Sequence, residues 1–425
     1  MILLWTDILL LSLVSTISIL IIVNRKQPQL RQIYKTVLNN KIALCSLIVL
    51  SVFFTIAILD SIHFKNQNQN IVSLLDQLLK PMHTMVEKTY SAPFATHSLN
   101  KEINDNNISD YPLLKKAGRH LKNPENKNQD LLIKSISAIF IAIVVWLLIT
   151  KFIAKKLSIS VKFTMLIILI LLSFCLYLSQ YYHIFGTDKV GHDVLYQAIK
   201  SIRTGLIIGT VTTLFMVPLA ITMGIMSGYL GGWVDDIIQY TYTTINSIPG
   251  VLLIAAGILT VQVYISNHPE SFSNIVEQSD LRLLFVCGIL ALTSWTGLCR
   301  ILRSEVLKIR ESDFVLAAQT LGLSRFRIMT RHLLPNVMHI VLISVILDFS
   351  SLILAEAVLS YIGIGVDPNT YSWGNMINSA RMEMAREPII WWSLVAAFIF
   401  MFTLVLAANL FADVVRAALD PRTSR

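Results

Sequence analysis

The chain has 425 residues, 54% of them hydrophobic and only 14% charged, and its mean hydropathy is +0.64. Those proportions exclude an ordinary water-soluble domain. A formal charge of +9 does not call for nucleic acid, because the basic residues sit in short loops between apolar stretches, where membrane topology accounts for them.

A bilayer core takes roughly 20 apolar residues per helix, which predicts about nine spans. They fall near 2–23, 42–62, 131–150, 163–180, 204–228, 237–264, 282–301, 336–362 and 388–412. The first lacks a basic flank before it, since Met1 to Asp7 holds no Lys or Arg, and it reads as a retained helix rather than a cleaved signal. Arg25, Lys26, Arg31, Lys35 and Lys41 crowd the loop after it, and Lys151, Lys155, Lys156 and Lys162 crowd a later one. Both loops belong in the cytoplasm. Counting spans from them places the N-terminus outside, and the 302–335 loop and the C-terminus inside. The four cysteines, Cys45, Cys175, Cys287 and Cys299, all lie in predicted spans, which suggests neither a disulfide frame nor a metal site.

Residues 63–130 form the one long polar segment, placed outside the membrane by the same count. The apolar spacing from Ile71 through Leu74, Leu75, Leu78 and Met82 to Met85 predicts a short amphipathic helix interrupted at Pro81. Residues 100–130 read as loosely ordered.

From about 163 onward the connections shorten. Before the second span of this part stands His183-Ile-Phe-Gly186-Thr-Asp188-Lys-Val-Gly191-His192-Asp193. Helix capping by Thr187, Asp188 or Asp193 explains its polar residues without a substrate role. Gly205 and Gly209, and again Gly224 and Gly228, have the small-residue spacing that lets helices approach closely in lipid. Pro218 and Pro249 each free a carbonyl inside a predicted span, a defect tolerated beside protein or a watery cavity. Pro249 is therefore expected at a kink near a pathway.

The 302–335 loop carries the sharpest signal, Asp313-Phe-Val-Leu-Ala-Ala-Gln-Thr-Leu-Gly322-Leu-Ser-Arg-Phe-Arg-Ile-Met-Thr-Arg331-His332-Leu-Leu-Pro335-Asn336. It predicts two short helices, the first capped by Ser312 or Asp313 and ended by a left-handed Gly322, the second capped by Ser324 and closed by Pro335. A compact helical knob suits a groove on another protein. In the next span Asp348 lies roughly 18 Å beyond Asn336 and Glu356 roughly 30 Å beyond it, with Ser344 and Ser351 on the face of Asp348. Ionisable groups at such depth face a pathway or a partner. Asp348, Ser351, Glu356 and Pro249 are the expected pathway residues, a buried hydrogen bond to a partner being the alternative for Asp348.

The loop resembles the Glu-Ala-Ala motif of ATP-binding-cassette importer permeases through Ala317, Ala318, Gly322, Ile328, His332, Leu334 and Pro335, although Leu316 stands where that motif has its glutamate. Further matches are Gly228-Tyr-Leu-Gly231-Gly232-Trp233-Val-Asp235, Leu292-Thr-Ser-Trp295, Ala355-Glu356-Ala-Val-Leu-Ser360-Tyr-Ile-Gly363-Ile-Gly365, Ser372-Trp373-Gly374-Asn375-Met376 and Leu419-Asp420-Pro421-Arg422. Their order across about 240 residues is similar to the dipeptide and oligopeptide branch of that family, with His192 replacing its usual arginine.

The resemblance implies an all-α integral membrane protein of about nine transmembrane helices, a six-helix type I importer permease core with an N-terminal extension. The implied layout is 1–62 as two helices with a basic cytoplasmic loop, 63–130 as an extracytoplasmic segment, 131–162 as an additional helix and loop, and 163–425 as the permease core. It implies a coupling loop seated on a separate ATPase through Asp313, Ala317, Ala318, Gly322, Arg325, Arg327, Arg331, His332 and Pro335. The implied partners are a second related permease, two ATPase subunits, which bind the ATP and magnesium, a solute-binding protein and lipid, at the bacterial inner membrane. The chain itself has no Gly-x-x-x-x-Gly-Lys-Ser/Thr phosphate loop, and no catalytic residue or cofactor site is expected in it. An ion-gradient-driven carrier is the alternative class, with Asp348 as proton relay. Such carriers are often built from paired repeats, which are not recognisable here.

Overall fold

The computed structural model describes residues 4–24, 36–65, 71–103, 109–117, 126–152, 158–268 and 275–419. The basic residues Arg25 to Lys35, Lys155 and Lys156, and the terminal Asp420-Pro421-Arg422 lie outside them. The chain divides into two compact units, taken in turn.

The first unit comprises residues 34–205 and 370–411. Its α2 (Lys41–Ser61) starts at Asn40, whose side chain accepts from the backbone amides of Ile42 and Ala43. Next come β1 (His63–Lys65) and β2 (Ile71–Ser73), an antiparallel pair, and then the short α3 (Leu74–Leu78) and α4 (Lys80–His83). The expected single helix over 71–85 is thus a strand followed by two helical turns. Ser73 opens α3 with a reciprocal capping box to Asp76, and Pro81 sits in the first turn of α4, where its missing N–H costs nothing. The stretch expected to be loose contains a second small antiparallel pair, β3 (Glu102–Ile103) with β4 (Ser109–Asp110), and Leu114 and Ala117 pack on Tyr182.

Helices α5 (Lys127–Phe152) and α6 (Ile159–Leu178) pack together, with Ser173 donating to the Ala138 carbonyl at 2.8 Å. Ala138 and Ala142 are buried in α5, whereas Ile133, Ile136, Phe140 and Leu147 are exposed. Apolar side chains all round a helix are the mark of a span whose outer face meets lipid. The unit also holds the first turns of α7 (Val194–Leu230), the short α14 (Trp373–Glu383) and most of α15 (Trp392–Leu419). Gly205 lets the Trp373 ring lie against the backbone of α7, a Cβ there meeting the ring at 2.9 Å.

The second unit comprises residues 4–33, 206–369 and 412–425. It contains α1 (Trp5–Asn24), the rest of α7, α8 (Gly232–Ser247), α9 (Gly250–Asn267), α10 (Ile275–Arg310), α11 (Asp313–Thr320), α12 (Arg325–Ile328), a π-helical turn (Met329–Leu333) and α13 (Leu334–Tyr361). Thr6 of α1 binds both carboxylate oxygens of Asp280 in α10, its amide at 3.1 Å. The expected close approaches occur: a Cβ at Gly224 would meet Leu302 Cβ at 2.8 Å, and one at Gly228 would meet Val306 at the same distance.

Among the described residues eight helices are long and apolar enough to cross a membrane, and α1 contributes a shorter apolar stretch. The chain is a multi-pass membrane protein. Two expectations are corrected. The span predicted over 237–264 is two helices, because Pro249 is the N-cap of α9 rather than a kink inside a helix. Its fixed φ and missing donor suit that position. Pro335 does not close a helix either. It lies in the first turn of α13, and the π turn before it continues into α12, so the wider turn accommodates the ring that would strike an α-helical carbonyl four residues back.

Candidate functional site

The loop after α10 is built on a buried floor. Val315 and Ala318 of α11, Ile328 of α12 and Leu333 of the π turn are buried with Leu302 and Val306 of α10 and Ile225 and Tyr229 of α7. This floor fixes which faces of α11 and α12 turn outward. Phe314, Leu316, Ala317, Leu321 and Phe326 are exposed, and so are Asp313, Arg325, Arg327, Arg331 and Pro335 around them. His332 is half-buried, its ring 6.5 Å from that of Phe314. Leu321 and Phe326 are 81% and 72% exposed, an apolar surface edged by three guanidinium groups.

Gly322 takes φ +74°. The amide of Leu323 reaches the Ala318 carbonyl at 3.2 Å and that of Gly322 reaches Gln319 at 3.0 Å, the paired bonds of a Schellman ending. Leu323 packs on the core that holds Ala318, which completes it. Ser312 and Ser324 occupy the two N-cap positions, but neither side chain makes a capping bond. Ser312 instead donates to the Ile309 carbonyl.

Under the loop lies a polar contact the sequence did not announce. Arg303 of α10 donates from Nε and Nη2 to the two oxygens of Asp235 in α8, each at 2.7 Å. Ser227 also donates to Asp235, and Gln239 Nε2 does so at 3.0 Å. Hydrogen bonding to Arg303 holds the Asp235 carboxyl below its ordinary range.

In α13, Asp348 is half-buried with no hydrogen-bond or ion-pair partner for its carboxylate among the described residues. Ser351 is exposed and donates to the Asp348 carbonyl at 2.8 Å, and Ser344 is half-buried. Glu356 is placed differently, 2% exposed and bonded by the Ser360 hydroxyl at 2.7 Å. Ser360 also takes the amide of Val366 at 3.4 Å, which fastens the end of α13 to the chain beyond it. Pro249 is exposed at the start of α9, apart in sequence and element from the α13 residues.

The first unit contains two buried ionic clusters. Asp193 caps α7, accepting from Leu195 at 2.9 Å and Tyr196 at 3.3 Å, as capping predicts. Its other oxygen meets His183 Nδ1 at 2.7 Å and Lys116 Nζ at 3.6 Å, while His183 Nε2 is 3.5 Å from Glu87. Burial disfavours both carboxylates, yet His183 and neighbouring donors outweigh it and lower their pKa values. Burial likewise disfavours the His183 cation, but Asp193 and Glu87 overcome it and raise its pKa. Lys116 has its pKa lowered by burial, which its acidic neighbours offset only in part. In the second cluster Lys200 bridges Asp60 at 2.7 Å and Asp76 at 2.8 Å. Burial would raise the Asp76 pKa, but Lys200 wins and brings it to about 2.

A helical knob with a packed inner face and an exposed apolar and basic outer face, joined to helices long and apolar enough to span a membrane, defines a multi-pass membrane protein with a surface loop of fixed geometry. Residues 220–425 match the model of the binding-protein-dependent transport system inner membrane component family. The dipeptide transport system permease protein of Lactococcus lactis is 34% identical over 242 residues, covering 57% of this chain and 64% of that protein. The oligopeptide transport system permease protein of Mycobacterium bovis is 31% identical over 239 residues, covering 56% and 76%. The dipeptide permease protein of Bacillus subtilis is 30% identical over 243 residues, covering 57% and 70%. Among solved structures, the MetNI methionine ABC transporter in an inward-facing conformation aligns with a TM-score of 0.40 at 15% identity, over 52% of this chain and 96% of that one. The chain belongs to the binding-protein-dependent transport system inner membrane component family, on its dipeptide and oligopeptide permease branch.

Proposed function

We propose that this chain is one of two membrane-spanning subunits of an importer for di- and oligopeptides or similar small solutes, driven by ATP hydrolysis in two separate ATPase subunits. The observation that carries this reading is the 313–335 loop, whose apolar and basic outer face is exposed among the described residues although its inner face is packed into the core. Exposed apolar surface of that kind marks a protein-protein contact. The ATPase takes Phe314, Leu316, Ala317, Leu321 and Phe326 into a groove, and Arg325, Arg327 and Arg331 meet acidic residues at its rim. ATP and magnesium reside in those partners. A second permease completes the pathway, and a solute-binding protein delivers cargo from outside. The N-terminus is extracytoplasmic and the C-terminus cytoplasmic, in keeping with the basic loops.

Asp348 and Ser351 line the pathway in this reading, the carboxylate attracting the ammonium end of a peptide. Purification in mild detergent with identification of the bound chains tests the assembly. Recovery of an ATPase and a second permease is expected. Uphill uptake by this chain alone in vesicles, driven by an ion gradient with no ATPase present, refutes the proposal.

A further inference from the structure

If the loop receives force, the helices behind it must be joined stiffly enough to carry that force. Helix α8 runs beside α10 and is tied to it by three polar contacts along its length. Asn246 accepts from Thr296 at 3.1 Å, Tyr242 lies under the Arg300 guanidinium at 5.4 Å, and Asp235 receives the two-pronged bond from Arg303. The first two contacts are neutral or loosely aimed. Only the third pairs two charged groups in a geometry that fixes both rotation and distance.

The third contact is also the one next to the loop. Arg303 stands about two turns before the end of α10, and between it and that end Val306 packs on the floor shared with Val315 and Ala318. Arg310 Nη1 reaches the Gly228 carbonyl at 3.4 Å. Gly231 and Gly232 both take positive φ, +64° and +54°, so α7 turns directly into α8 and brings Ser227 and Asp235 together. The groups facing Asp235 are Ser227 of α7, Gln239 of α8 and Arg303 of α10. Its side chain is 14% exposed and that of Arg303 24%, so the pair is partly shielded from water and the surface-pair discount is reduced.

We infer that Asp235 and Arg303 are positioning residues for energy coupling: their forked ion pair makes α8 move with the loop-bearing end of α10, so that a displacement of the seated loop reaches the spans. The inference rests on the proposed function, since it needs an ATPase on the loop. Without the ion pair, α8 keeps only the Asn246 and Tyr242 contacts of these three to α10, and both lie farther from the loop.

The test uses the whole complex, with its partner permease, ATPases and solute-binding protein, reconstituted in vesicles and supplied with ATP and a peptide mixture. The readout is peptide taken up per ATP hydrolysed, with subunit recovery as the check on assembly. Asp235→Asn is expected to keep assembly and ATP hydrolysis while lowering the ratio by about 5- to 150-fold, the usual span of a coupling between sites. Arg303→Lys, which keeps the charge but not the fork, falls between that variant and the unaltered complex. Exchange of the two groups, Asp235→Arg with Arg303→Asp, restores part of the ratio.

An unchanged ratio in assembled Asp235→Asn and Arg303→Lys complexes overturns the inference and leaves the proposed function standing. Failure of both variants to assemble also overturns it, in favour of a purely architectural pair. Absence of ATP-driven uptake in the unaltered complex overturns the proposed function, and the inference falls with it.

Discussion

Gly322 offers a test of the loop by backbone conformation alone. Its φ of +74° is disfavoured for L-residues with a side chain, while a Cβ built there meets no atom within 4 Å. Gly322→Ala therefore introduces no clash, and its whole effect is the conformational cost, about 1–2 kcal/mol. Gly322→Asn tolerates the same region more readily and should cost less, and the β-branched Gly322→Val more. That energy falls on the paired bonds from Leu323 to Ala318 and from Gly322 to Gln319, which set where α12 leaves α11. A penalty of this size lowers the population of the formed loop by up to about 5- to 30-fold, and the affinity for an ATPase that binds only the formed loop falls in proportion. Titrating ATPase onto the detergent-solubilised permease pair measures this. Affinity should decrease in the order Gly, Asn, Ala, Val. Equal affinity for the glycine and valine forms refutes the view that the ATPase reads this loop geometry.

Three further outcomes follow from other sites. Gly228→Ala places a methyl 2.8 Å from Val306 and 2.9 Å from the Arg303 carbonyl. It should lower the unfolding temperature in detergent, because overpacking of about 1–3 kcal/mol exceeds a helix-propensity gain of about 1 kcal/mol, whereas Gly297→Ala, with open space around it, should not. The His183 cluster should hold Glu87 and Lys116 to the start of α7 most firmly at mildly acidic pH. The lowered carboxylates contribute above their ordinary range near about 4 and lose that contribution as pH falls, and the raised His183 contributes below about 6.5 and loses it as pH rises through its folded value. Thermal unfolding of the wild type and of Glu87→Gln across pH 5–9 checks this, and a profile unchanged by the substitution contradicts it. Asp348→Asn should reduce uptake of peptides with a free amino terminus more than uptake of N-acetylated ones, measured by competition in vesicles; equal effects on both remove the proposed ammonium contact.

The spans were legible because a run of about 20 apolar residues has few other homes, and Gly322 because a glycine between two helical patterns predicts its own left-handed turn. The two prolines misled, since an isolated sequence does not say whether a proline kinks a helix, begins one, or follows a wider turn. Pro249 begins α9, and Pro335 follows the π turn. The strand pairs at 63–73 and 102–110 were hidden because each strand is only two or three residues long, too short for alternation to register. The ionic pairs were hidden by distance along the chain: Asp235 and Arg303 are 68 residues apart, and Lys200 and Asp60 are 140. In each case the sequence shows a charged residue and leaves its partner unnamed.

The π turn has a mechanical consequence. Because it joins α12 to α13 without a break, Arg325 to Tyr361 forms one continuous 37-residue helix. One end lies at the exposed face of the 313–335 loop, proposed to receive the ATPase, and Asp348 stands about 35 Å along the helix at 1.5 Å per residue. A lever of that length turns a tilt of a few degrees at its foot into a sideways displacement of an ångström or more at the carboxylate, and the π turn beside Pro335 is the place where it can bend.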